Sequence, residues 1–454
     1  MDFLLSRCSK LSNALMKTYS DSAVRLRILP STTCMFDEAV EIKLSGLTPQ
    51  QHVELQSNLQ DDRGVRFKAT ATYQADEKGE VDLSRHPSLG GNYTGVEPMG
   101  LFWSMRPDVP HSIVVKRDAS TPLNYHIEAS SGGEILAKET NERHFTGPGV
   151  RRAPVSDGRI RGTLFTPPGE GPFPGIIDLY TLGGGMCEPR AALLASKGFE
   201  VLALAYYGYQ DLPKKVKKFD LEYFEEAITF LQRLPKVSGV RHFCKFNRKS
   251  HKSKVQRNGI GILSISKGAE LALSMASFLP NIRATVCING CNANVLFPLH
   301  YKDMVIPPLT FSAKNLDTTK PGILDVRDVL DDPMVKENFA TVMIERASCR
   351  FLFIVSEDDR NWNSAYYAEQ ACNILKEHGK TNYEVVSYPK AGHFLEVPYM
   401  PHHPSGVHPA VGKVVAFGGE MKVHAAAQVD MWRRVQEYFR KHLWGLSGPP
   451  KSSL

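Results

Sequence analysis

Gly259-Ile260-Gly261-Ile262-Leu263-Ser264-Ile265-Ser266-Lys267-Gly268 runs without a break from an apolar strand into a helix expected over Gly268–Leu279. Ser266 stands at the corner. A nucleophilic serine suits such a corner because the tight turn lifts its hydroxyl clear of the sheet. Small residues two positions before and two after let strand and helix approach each other. Gly268 meets the second requirement. Ser264 occupies the first position in place of the usual glycine, and is small enough to fit at some strain. Taken alone the pattern is weak, because a serine can also close an ordinary strand–helix turn.

On either side of this stretch, apolar runs alternate with helical ones. Gly175–Tyr180 reads as a strand, then come a glycine loop and a helix over 188–197. Val201–Tyr206 is a strand before a helix over 221–234. Strands over 284–288 and 350–355 follow, and an amphipathic helix over 429–442 closes the chain. Such alternation predicts a mostly parallel sheet covered on both faces, an α/β unit. Two of its loops carry chemistry. The strand Arg350–Ser356 ends in Glu357-Asp358-Asp359, and Tyr383–Tyr388 leads into Pro389-Lys390-Ala391-Gly392-His393. Serine, acid and histidine, each in a loop after a strand and in that order, is the arrangement of the α/β-hydrolases. His393 would take the Ser266 proton, and Asp359 would hold the imidazole in the right tautomer. The amide of Lys267 and the loop containing Gly183 and Gly184 would supply the oxyanion donors. The same glycine run lacks the lysine of a phosphate-binding loop. His402, His403, His408 and His424 lack the strand-and-loop setting and read as loop or surface histidines, with no metal site expected.

Residues 25–145 follow a different pattern. Short alternating runs such as Val40–Leu44, Val53–Leu55 and Phe67–Tyr73 are separated by turns at Asp62-Arg63-Gly64 and Leu89-Gly90-Gly91-Asn92. They predict an antiparallel sandwich with no catalytic spacing. A Gly/Pro junction at 145–150 separates it from the α/β unit. At 454 residues the chain has room for two domains.

The net charge of +7 is matched by seven Lys and Arg in 241–257, a stretch without a single acid. The basicity is therefore local and carries no argument for nucleic acid. This stretch reads as an inserted solvated loop. Eight scattered cysteines without a CxxC pair suit a reducing compartment and argue against zinc. No apolar run is long enough to span a bilayer. Residues 1–22 are Ser-rich, with Arg7, Lys10 and Lys17 against Asp2, and read as a mitochondrial presequence or a frayed extension. The terminal Lys451-Ser452-Ser453-Leu454 only approximates a peroxisomal tripeptide. The expectation is the mitochondrial matrix, ahead of cytosol and peroxisome.

Longer segments carry a resemblance over about residues 25–445: LGGNYTGVEPMGLFW, RIRGTLFTPPGEGPFPGIIDLY, SISKGAELALSMASFLP, EDDRNW, AGHFLEVPYMP and GGEMKVHAAAQVDMWRRVQEYF. Through these the chain resembles the type-I acyl-CoA thioesterases and bile acid-CoA:amino acid N-acyltransferases. The resemblance implies an immunoglobulin-like β-sandwich over 23–146 and an α/β-hydrolase domain over 155–445, interrupted by the 241–257 insertion. By motif it places the triad on Ser266, Asp359 and His393. The transferases carry cysteine at the elbow; Ser266 here implies hydrolysis of acyl-CoA through an acyl-serine. Transfer to glycine or taurine is the alternative. A non-catalytic acyl-CoA binder and a generic carboxylesterase stand behind these two. No cofactor is implied, since coenzyme A is part of the substrate.

Overall fold

Alternation of apolar and polar residues builds the N-terminal strands. In His52–Gln60, Val53, Leu55 and Leu59 turn inward while Glu54 faces solvent. This strand lies between Arg66–Gln74 and Leu123–Ser131 in a seven-stranded sheet. A three-stranded sheet of Arg25–Leu29, Glu41–Ser45 and Val81–Asp82 accompanies it. Neighbouring strands are antiparallel, except that Thr33–Met35 runs parallel to Glu134–His144. Ile28, Ile42 and Leu44 of the small sheet and Leu55, Phe67 and Tyr73 of the large one are buried in one core. The computed structural model describes residues 24–238, 259–335 and 338–444. The presequence reading, the 241–257 insertion and the C-terminal tetrapeptide lie outside these.

The second half is organised around an eight-stranded sheet. Across it run Arg151–Asp157, Ile160–Thr166, Glu200–Ala205, Gly175–Leu179, Ile260–Ile265, Ile282–Ile288, Arg350–Ser356 and Tyr383–Tyr388. Only Ile160–Thr166 is antiparallel to both its neighbours in the interior of the sheet; from Glu200–Ala205 onward all pairs are parallel. This is the α/β-hydrolase arrangement. The chain runs from Gly175–Leu179 outward to Glu200–Ala205, then crosses back to Ile260–Ile265 on the other side. The strand order therefore reverses between Gly175–Leu179 and Ile260–Ile265. In open parallel sheets such a reversal leaves a crevice at the carboxyl ends of the two strands.

Both faces of the sheet are covered. Helices Leu221–Arg233, Lys267–Phe278 and Ser364–Glu377 pack on one face through Phe224, Leu231, Leu271, Met275 and Leu375. Helices Pro189–Ser196 and Met421–Leu443 pack on the other through Leu193, Leu194, Trp432, Val435 and Phe439, and this second core is continuous with that of the N-terminal sheets. Trp432 Nε1 donates to Asp37 Oδ2 at 2.9 Å, tying the last helix to the first strands.

Two boundaries differ from the sequence reading. The sheet begins at Arg151, so the expected start at 155 falls inside a strand. That strand is an exposed edge holding Pro154, and its polar sequence gives no apolar signal. The closing helix begins at Met421, not Val429. Its first turns are rich in alanine and carry few large apolar residues, so hydrophobic periodicity starts late.

Candidate active site

The corner at Ser266 is a strained backbone position. Ser266 has φ 57° and ψ −127°, and caps the helix Lys267–Phe278. A non-glycine residue held there costs on the order of 1–3 kcal/mol. The Ser266 N–H donates to the Ile288 carbonyl at 3.0 Å, and the Ser266 carbonyl accepts from Ala269 N–H at 2.8 Å. Gly268 is required by the close approach: a Cβ there would lie 2.6 Å from the carbonyl oxygens of both Leu179 and Tyr180. Ser264 is fully buried and donates its hydroxyl to the Val286 carbonyl at 2.6 Å. The polar atom that departs from the glycine pattern is thereby satisfied.

The structure brings Ser266, His393 and Asp359 together. Ser266 Oγ donates to His393 Nε2 at 2.9 Å, and His393 Nδ1 donates to Asp359 Oδ2 at 2.8 Å. Asp359 is itself held from both sides. Its Oδ1 accepts from Asn361 N at 2.8 Å and Trp362 N at 3.3 Å, and its Oδ2 accepts from Ser364 Oγ at 2.5 Å. Trp362 and Phe394 stand edge-on to the imidazole, with centroids 5.6 and 5.2 Å away. His393 and Asp359 are each only 1% exposed. Asp358, its neighbour in sequence, faces elsewhere, accepting from Arg360 Nε at 2.6 Å and Gly419 N at 2.9 Å.

As the first residue of its helix, Lys267 presents an N–H with no intrahelical acceptor, at the positive end of the helix dipole. Its side chain is turned into the protein. There the ammonium pairs with Glu270, donates to the Val295 carbonyl at 2.6 Å and lies over the Phe219 ring. Burial pushes the Lys267 ammonium down and the Glu270 carboxyl up from their usual ranges. Across from it, Gly183 N faces Thr181 Oγ1 at 3.3 Å, and Gly184 takes φ 68°.

Two clefts meet at Ser266 and share Leu182 and His408. One, of about 340 Å³, is walled by Val295, Leu296, Phe311, Val329, Leu330 and Val411. The other, of about 240 Å³, runs over Gly183 and Gly184 past His393 to Arg63, Lys116 and Arg117 of the N-terminal half. The hairpin Ser405–His408/Lys413–Ala416 stands between them, with Val407 on one side and Val411 on the other.

Comparison with known proteins matches this architecture to a pair of family profiles. Residues 37–157 match the acyl-CoA thioester hydrolase/BAAT N-terminal region, and residues 249–445 match the BAAT/acyl-CoA thioester hydrolase C-terminal region. The chain is 46% identical to acyl-coenzyme A thioesterase 5 of Mus musculus, covering 94% of this chain and 98% of that one. It is 46% identical to human acyl-coenzyme A thioesterase 1, covering 95% and 100%. Human acyl-coenzyme A thioesterase 2, mitochondrial, is also 46% identical, with 95% and 87% covered. The chain belongs to the acyl-CoA thioester hydrolase/BAAT family.

In this family member, sequence reasoning missed several residues around the site. Asn289 donates to the His393 carbonyl at 2.7 Å and to Ser356 Oγ at 3.0 Å. His424, expected at the surface, is buried. Its Nδ1 accepts from Gly392 N and its Nε2 donates to the Phe394 carbonyl, both at 3.0 Å, so it grips the backbone on either side of His393. His402 and His403 are buried as well, against the Gly418 carbonyl at 3.0 Å and Val114 N at 3.1 Å. Burial pushes His403 and His424 down to about 3, so both are neutral. His408 alone of the four borders both clefts. The inward face of the last helix, with His424, Gln428, Met431 and Val435 at helical spacing, was the available signal for His424.

Proposed function

We propose that the protein hydrolyses acyl-CoA thioesters to the free acid and coenzyme A through an acyl-serine intermediate. The observation that carries this is the hydrogen-bonded chain Ser266–His393–Asp359 at the junction of an apolar and a cationic cleft. Ser266 Oγ attacks the thioester carbonyl as His393 Nε2 takes its proton. The oxyanion meets the Lys267 amide and a second amide from the loop Thr181–Gly185. Within that loop Leu182 borders both clefts, which makes its amide a donor to consider beside those of Gly183 and Gly184. The intermediate collapses by expelling the coenzyme A thiolate, which His393 reprotonates. Water, deprotonated by the same imidazole, then attacks the ester; the acid leaves as the bond to Ser266 Oγ breaks and the imidazolium returns its proton to that oxygen. Asp359 holds Nδ1–H and stabilises the imidazolium while it lasts. The acyl chain lies in the apolar cleft.

The N-terminal half, in this reading, is an immunoglobulin-like sandwich over 23–146. The Ser-rich basic start of the sequence and the mitochondrial relative support import into the mitochondrial matrix. The activity is tested by following thiol release from palmitoyl-CoA with and without glycine or taurine, and analysing the products by mass spectrometry. Free palmitate in both cases is expected; conjugated palmitate as the main product would assign transfer instead.

A further inference from the structure

We propose that Arg117, carried by the N-terminal half over the glycine loop, is the residue that receives the phosphates of coenzyme A. The inference rests on the thioesterase reading and extends it to the leaving-group side. A thioester held at Ser266 has one apolar arm and one arm that ends in phosphates. The two clefts differ in the same way, and the arm that cannot enter the apolar cleft follows the one bordered by Arg63, Lys116 and Arg117.

Two of these cations are already committed. Lys116 is buried, and its ammonium donates to Asp62 Oδ1 at 3.0 Å and Thr121 Oγ1 at 2.6 Å. Arg63 donates from Nε and Nη2 to Asp61, and from Nη2 to the Ile113 carbonyl at 2.6 Å. Arg117 is placed differently. Its backbone is pinned from both sides: its N–H donates to Asp62 Oδ2 at 3.0 Å, and its carbonyl accepts from Glu188 N at 2.9 Å. Its side chain is exposed, and among the described residues its guanidinium has no carboxylate partner.

The carboxylates nearest in this network have other work. Asp62 serves Lys116 and the Arg117 amide, and Glu188 serves Arg152, Thr163 and Ala119. The guanidinium lies against the loop that borders the site: a Cβ built on Gly185 would come within 2.9 Å of Arg117 Nη1. A fixed backbone, a planar guanidinium with no carboxylate partner among the described residues and an open cleft leading to the nucleophile are what bidentate phosphate recognition needs. The N-terminal half is thereby part of the substrate site.

The test is calorimetric titration of free coenzyme A into the full-length protein and into its Arg117→Gln and Arg117→Lys variants, at low and high salt. Expected is about tenfold weaker binding for Arg117→Gln, equivalent to the loss of one charge-assisted contact. Arg117→Lys should retain part of the affinity, and the salt dependence should be smaller in Arg117→Gln than in the wild type. Affinity of Arg117→Gln within twofold of wild type, or no measurable binding of coenzyme A to the wild type, would overturn the proposal. Coenzyme A is not cleaved in this titration, so the result stands apart from whether Ser266 hydrolyses thioesters.

Discussion

Asp358 and Asp359 are adjacent acids that the fold separates into two jobs. Asp359 meets His393 and is braced by three donors of its own, whereas Asp358 binds Arg360 and the Gly419 amide. Asp359→Asn can no longer hold the histidine tautomer that accepts the serine proton, and kcat on acyl-CoA should fall by roughly 10³–10⁴. Asp358→Asn keeps an acceptor for only one of its two partners, but neither partner touches His393, so activity should fall less than tenfold. Steady-state kinetics of the two variants decides, and the reverse ranking would reassign the acid. His424 acts one step further out, as a positioning residue. His424→Ala frees the backbone at Gly392 and Phe394, so the imidazole between them should drift, lowering kcat on the order of 10²-fold with KM nearly unchanged. A rise in KM at constant kcat would show that His424 serves the substrate cleft instead. The order serine, acid, histidine was legible in the sequence because each residue closes a strand. His424 was not, because a histidine inside a helix is recognised as buried only once its packing partner is known.

Among the elements, the strand–corner–helix at 260–278 reads directly from its apolar run and Gly268. The walls of the apolar cleft do not. They come from the long excursion between Ile282–Ile288 and Arg350–Ser356 and from the hairpin at 405–416, where single residues such as Leu296, Phe311 and Leu330 converge from distant positions without periodicity. The edge strand Arg151–Asp157 escaped for the opposite reason, since a polar strand with a proline looks like a loop. If the cleft holds the acyl chain, filling it should select by length. Leu330→Trp should lower kcat/KM for long-chain acyl-CoA by about tenfold or more while sparing short chains. Parallel loss across a chain-length series would place the acyl group elsewhere.

For the whole molecule, the sheets of the N-terminal half and the helices at 189–196 and 421–443 share one core, so the cleft between the halves is shaped by both. A buried neutral histidine joins them, His403, which accepts from Val114 N, and a second, His424, lies buried in the last helix. Both are pushed down to about 3 in the folded protein against about 6.5 in the unfolded chain. Below pH 6.5 the unfolded chain therefore takes up protons that the folded one refuses. Stability should be complete above that pH and decline as pH falls towards 3, by up to about 1.4 kcal/mol per pH unit for each histidine. Denaturant titrations at pH 7.5 and 5 should show the loss, and His403→Gln should reduce it by one histidine's share, since His402 and His408 are pushed down as well. A stability that is flat over this range would contradict the buried, neutral assignment.

A covalent acyl group on Ser266 is what separates this mechanism from its alternatives. Rapid-quench mass spectrometry of the protein mixed with palmitoyl-CoA reads it most directly, with hydrolysis of the same substrate followed in Ser266→Ala. Expected is a palmitoyl adduct on the peptide containing Ser266, absent in the alanine variant, together with a loss of turnover of several orders of magnitude. Near-normal hydrolysis by Ser266→Ala, or an adduct on a different residue, would contradict it.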